Sequence, residues 1–175
     1  MNIIYEFRVD ERELNKCKKM GSLLNVDQTS LAHCYFYFPV RLYINGFEFF
    51  GYINPSDPYL TCPLIGISTT GIGVLRALAT SHEVLWHIPE RPQAKFIRTG
   101  NLLTIHYRKT ILKADYDQLL TAFKQFESSV KHFFHDQFPD LCMHTYWGPW
   151  LKNEAIYTID QGLVPSNEFD TQYHE

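Results

Sequence analysis

YFYFPVRLYINGFEFFGYI, Tyr35 to Ile53, decides the fold. Two apolar, aromatic runs flank Asn45-Gly46, the dipeptide whose tolerance of positive φ suits the two-residue turn of a β-hairpin. The stretch reads as paired antiparallel strands over 35–44 and 47–53. Pro39 lacks a backbone N–H and so places the first strand at a sheet edge or at a bulge.

Outward from this hairpin, NIIYEFRV (Asn2 to Val9) alternates as a strand, and ERELNKCKKMGS (Glu11 to Ser22) is a polar stretch suited to a short helix or a loop. NPSDPYLTCP (Asn54 to Pro63) carries three prolines and reads as a surface turn. HEVLWHI (His82 to Ile88) is a short strand closed by PERP. KFIRT and LLTIHYR, on either side of Gly100-Asn101, form a second hairpin. The clearest helix runs from about Asp115 to Gln137: Asp115 and Gln118 make a capping box, and Pro139 stops it. Its Leu119, Phe123, Phe126, Val130, Phe133 and Phe134 share one face at helical spacing, so that face belongs to the core. AIYTI (Ala155 to Ile159) adds a last strand. Hairpins with segregated helices predict an α+β fold: an antiparallel sheet of hairpins against a long C-terminal helix and one or two short helices. The expected organisation is one domain over 1–160, followed by a flexible tail over 161–175.

The chain has 175 residues, 45% hydrophobic and 20% charged, values of a globular domain. Its aromatics cluster in YFYF (35–38), FEFF (47–50), HFFH (132–135) and YWGPW (146–150), as in a core between a sheet and its helices. Part of the last cluster is also suited to anchoring a partner. No apolar run reaches the roughly 20 residues of a membrane-spanning helix. With no basic and then apolar leader at its start, the chain is expected in the cytoplasm. Cys17, Cys34, Cys62 and Cys142 are scattered without a CxxC, the pattern of reduced thiols. The net charge of -3 is split: residues 1–114 hold 13 Lys/Arg against 9 Asp/Glu, and residues 115–175 hold 3 against 10. The last third is therefore suited to a basic partner.

GISTTGIG, Gly66 to Gly73, has two glycines at phosphate-loop spacing, but Ile72 and Gly73 stand where the lysine and the Ser/Thr hydroxyl are required. It reads as a strand-to-helix turn, with Ser68, Thr69 or Thr70 capping a short helix. His132, His135, Asp136, Cys142 and His144 have zinc-ligand chemistry, but rotation from the apolar stripe turns His132 and His135 to solvent. Ser68 lies outside GxSxG, and His33 and Cys34, adjacent in a strand-like run, point to opposite faces. Asp115 with Asp117 and Glu168 with Asp170 fall at a helix cap and in the tail. Arg98, Arg108, Lys109 and Lys113 with His106 and Tyr107 are a modest basic set in an acidic chain, so nucleic acid is not the expected partner. No catalytic residue, metal or cofactor is expected.

From LIGISTTGIGVLRAL (Leu64 to Leu78) through the second hairpin and DYDQLLTAFKQFESSVKHF (Asp115 to Phe133) to PDLCMHTYWGPW (Pro139 to Trp150), the order of elements resembles small bacterial immunity-type proteins, the antidotes encoded beside toxins. The resemblance covers about the C-terminal two thirds and rests on packing patterns. It implies a non-catalytic protein that neutralises a cognate protein toxin by binding it, the acidic last third matching a basic toxin. Tyr146, Trp147 and Trp150 are then the aromatic anchors, with Asp136, Asp140 and Glu154 as charged neighbours. The alternative is an enzyme or metal-binding protein with a pocket near His82, His87 and His106.

Overall fold

The computed structural model describes residues 1–51, 58–89 and 91–166. Strand β2 (Tyr37–Ile44) turns through Asn45 and Gly46, with φ of 50° and 91°, into β3 (Phe47–Glu48), so the hairpin forms as its dipeptide requires. Strand β3 is shorter than expected: Phe49 keeps one bond to β2, from its N to Leu42 O at 2.7 Å, and both Phe49 and Phe50 are buried in the core. The end of the expected strand, Tyr52 and Ile53, and residues 54–57 of the expected turn lie outside the described residues.

Strand β2 is the centre of its sheet. Strand β1 (Ile3–Phe7) pairs with one side of it, while β3 and β4 (Leu60–Pro63) share the other. Pro39 therefore sits in a central strand, in unbroken register with Thr61 of β4, contrary to the edge position or bulge expected from its missing N–H. The reason is local: its carbonyl accepts from Arg8 N at 2.9 Å, one residue beyond the last pair with β1, Phe7 and Val40. In an antiparallel pair the N and O of a residue face the same neighbour, so the absent donor falls where that ladder has ended.

A second sheet is a four-stranded meander, β5 (Glu83–Trp86), β6 (Ala94–Thr99), β7 (Leu102–Tyr107) and β8 (Thr110–Asp115). The β6–β7 hairpin about Gly100 was legible in the sequence. Strand β8 was not, because its turn is Arg108-Lys109, with Arg108 at a φ of 56° that no turn glycine announces. The last hairpin joins β9 (Ala155–Thr158) to β10 (Gly162–Pro165). Strand β10 thus lies in the segment expected as a tail, of which 167–175 fall outside the described residues.

Short helices α1 (Glu11–Lys18) and α2 (Gln28–His33) are capped by Asp10 and Asp27, whose carboxylates accept from Glu13 N and Ser30 N. Cys34 closes α2, which corrects the strand expected about His33 and Cys34.

The main correction concerns GISTTGIG. It is no strand-to-helix turn: the whole motif lies in α3 (Leu64–Ala77), whose N-cap is Pro63 without a side-chain cap. Ser68, Thr69 and Thr70 are interior, and each bonds back to its own helix, at 3.0 Å and 2.7 Å to Ile65 O and at 2.7 Å to Gly66 O. That internal bonding allows hydroxyls to be buried in a helix enclosed by protein. Its glycines mark close approaches: Gly66 to α2, Gly71 to the Trp86 and Phe123 rings, and Gly73 to Tyr157 and Ile159. A Cβ on Gly66 would stand 2.5 Å from the Ala32 carbonyl oxygen, whereas one on Gly71 would meet only side-chain carbons at 3.1 Å. Gly66→Ala should therefore destabilise by about 1–3 kcal/mol through overpacking against backbone. In Gly71→Ala the helix-propensity gain of about 1 kcal/mol offsets much of the crowding. Urea unfolding of the two variants checks this order.

Helix α4 (Tyr116–Gln137) matches its expectation: Asp115 accepts from Gln118 N at 2.9 Å, and the six residues of the apolar stripe are buried. It packs along α3 and under β1, where Tyr5 stacks on Phe126. Then follow a 3-10 turn (Pro139–Met143) and α5 (Trp147–Leu151). The fold is the α+β arrangement of antiparallel hairpins and a long helix. No helix among the described residues is long and apolar enough to cross a membrane.

Candidate functional site

The segment after α4 is held by His144 and by the two tryptophans expected to anchor a partner. Pro139 ends α4, and the 3-10 turn delivers His144 to the start of α5. The His144 Nδ1 accepts from Tyr146 N and Trp147 N, each at 3.2 Å, so the ring caps that helix. A nitrogen that accepts carries no proton, so Nε2 is the donor, to Val26 O at 2.8 Å. His144 is thus a structural clasp between α5 and the segment before α2.

Trp147 and Trp150 are not exposed anchors. Trp147 is 3% exposed and donates from Nε1 to Gln28 O at 2.9 Å. Trp150 is fully buried and donates to Glu127 Oε1 at 2.8 Å. Their polar tips find acceptors inside the fold, so both rings serve as core. Tyr146 is half-buried; its hydroxyl accepts from Leu163 N at 3.2 Å, and its ring lines a cleft of about 110 Å³ with Trp147, Thr69, His33 and Tyr157.

Beneath Trp150 lies a charged cluster that periodicity hid. Glu127 contacts Arg76 at 3.2 Å and Lys131 at 3.9 Å, and all three side chains are nearly buried. Lys131 also donates to Asn153 Oδ1 at 2.9 Å, and Arg76 reaches Tyr157 O at 3.3 Å. Burial pulls the Lys131 ammonium below its ordinary range, Glu127 opposing the fall and Arg76 adding to it. The cluster ties α3, α4, α5 and β9 together. Glu127 and Lys131 have the i,i+4 spacing of any helix-surface ion pair, and spacing alone carries no sign of their burial.

The charged members of the expected site are exposed: Asp136 at the end of α4, Asp140 in the 3-10 turn, and Glu154 after α5. Glu154 pairs with Lys152 at 3.3 Å, while Asp136 and Asp140 make no ion pair among the described residues. Met143, in the same turn as Asp140, is 76% exposed.

The remaining candidates do not converge. His132 is exposed and bonds Ser128 O, whereas His135 bonds Leu151 O and Cys142. Among the described residues no three His, Cys, Asp or Glu side chains could hold a metal ion together. His82 and His87 stand at opposite ends of β5, about 16 Å of extended chain apart. His106 stands between Lys95 and Ile111 in the register of the meander. Arg98 is taken up by Leu78 O, Gly100 O and the Tyr116 ring, which removes it from the basic set.

No protein-family model matches the chain, and no curated protein or solved structure shows significant similarity to it.

Proposed function

We propose that this is a non-catalytic binding protein of the immunity type, acting in the cytoplasm and neutralising a basic protein toxin by direct contact. The observation that supports this reading is the pair Asp136 and Asp140, exposed without an ion pair among the described residues, with the exposed Met143 in the same turn as Asp140. They stand on a segment fixed from below by His144, Trp147 and Trp150. Exposed carboxylates on a rigid base attract and orient a basic partner at little ordering cost. The indoles brace the interface, and Met143 takes over the apolar contact expected of them.

The test is coexpression with the product of the neighbouring gene, followed by binding measurements. Wild type should protect the cells and bind with an affinity that falls as salt rises. Asp136→Lys with Asp140→Lys should weaken binding about tenfold or more, about 1.4 kcal/mol, with unfolding unchanged because both positions are exposed. The reading fails if the neighbour is harmless to cells and does not bind. The assignment of this face fails if the folded charge-reversal variant binds as tightly as wild type.

A further inference from the structure

Four cysteines differ sharply in their surroundings. Cys17 and Cys62 are buried, and burial pushes their thiols up to about 11 and about 12. Cys34 is exposed at the end of α2, with no hydrogen bond to its sulfur among the described residues. Cys142 is half-buried, and its Sγ lies 3.4 Å from His135 Nδ1.

The far side of that ring settles the proton. His135 Nε2 lies 2.8 Å from the Leu151 carbonyl oxygen, which can only accept. Nε2 therefore carries the hydrogen, and in the neutral ring Nδ1 holds the lone pair that faces the thiol. The S–H must be the donor. Thiol, imidazole and orienting carbonyl thus stand in the order of a nucleophile, its base and the group that fixes the base. His135 is in the last turn of α4 and Leu151 is the last residue of α5, so the bend after Pro139 brings the ends of these two helices together at the ring.

We infer that Cys142 and His135 form a base-assisted thiol, a modification site for low-molecular-weight disulfides of the glutathione-disulfide class. In the reaction the Cys142 proton passes to His135 Nδ1, and the thiolate attacks one sulfur of the disulfide. A new S–S bond forms as the old one breaks, and the departing thiolate takes the proton back from the imidazolium. The balance is one protein thiol and one disulfide giving one mixed disulfide and one free thiol, with the small disulfide as oxidant. No carbonyl-activating site is required, and the Cys142–His135 contact lies at an exposed position.

Cys34 provides the internal standard. In Cys34→Ser, Cys142 is the remaining accessible thiol; in Cys142→Ser, Cys34 is. With glutathione disulfide at pH 7, followed by intact mass, Cys142 should form its adduct about tenfold faster or more than Cys34, a modest share of what a positioned base can supply. His135→Ala in the Cys34→Ser background should bring that rate down to the Cys34 value. The same substitution in the Cys142→Ser background should leave the Cys34 rate unchanged. Equal rates for Cys142 and Cys34 would overturn the inference without any His135 variant. A folded His135→Ala protein that keeps the fast rate would also overturn it. If His135→Ala loosens the fold, Cys17 and Cys62 also become reactive, and the two single-serine proteins decide.

Discussion

Glu127→Ala should lose about 3–5 kcal/mol of folding stability, the cost of removing the one anion from a buried cluster. Glu127 faces Arg76 and Lys131 and accepts from the Trp150 indole, and its side chain is only 7% exposed. Without it, two cations remain inside a region where burial already pulls the lysine below its ordinary range. Glu127→Gln keeps an acceptor for the indole and should cost less than the alanine change. Lys131→Met should cost least, within about 1 kcal/mol of wild type, because it leaves Arg76 and Glu127 as a balanced pair. Urea unfolding of the three variants checks the order. A lysine change costlier than the alanine change would mean that Lys131, and not Glu127, holds the cluster together.

Trp150→Ala should destabilise to a similar degree, about 3–5 kcal/mol, as a large buried ring leaves a cavity. It also removes the donor from Glu127 Oε1, so its cost and that of Glu127→Ala should not add. The double variant should be more stable than the sum of the two losses allows. Trp150→Phe should recover part of the packing and none of the hydrogen bond. Under the proposed function, loss of binding in Trp150→Ala would therefore report a loosened α5. Only Asp136 and Asp140 test the proposed surface itself.

What could be read from the chain followed local rules. Asn45-Gly46 gave the first hairpin, Gly100-Asn101 the second, and Asp115 with Pro139 the limits of α4, because turn and cap chemistry acts within a few residues. Strand β8 escaped because Arg108 supplies its positive φ in place of glycine. Helix α2 escaped because its six residues, QTSLAH, are too few to show a period. GISTTGIG was misread for a deeper reason. Three glycines in ten residues argue against a helix when propensity alone is weighed, at about 1 kcal/mol each. Here that cost is offset by contacts with α2, the Trp86 and Phe123 rings and β9, none of them near in sequence.

The site divides in the same way. The charge of Asp136, Asp140 and Glu154 predicts exposure, and all three are exposed. The roles of Trp147 and Trp150 depended on Gln28 and Glu127, which are 119 and 23 residues away. The Cys142 and His135 pair, seven residues apart, needed the bend after Pro139 and the carbonyl of Leu151 to become a thiol and its base. By itself the sequence determined the class of fold, the two hairpins, the long helix and the sign of the exposed charge, since periodicity, turn chemistry and composition are local. Tertiary structure alone decided that a glycine-rich motif is the enclosed central helix and that two tryptophans are core. Burial and hydrogen-bond partners are set by which distant segments meet.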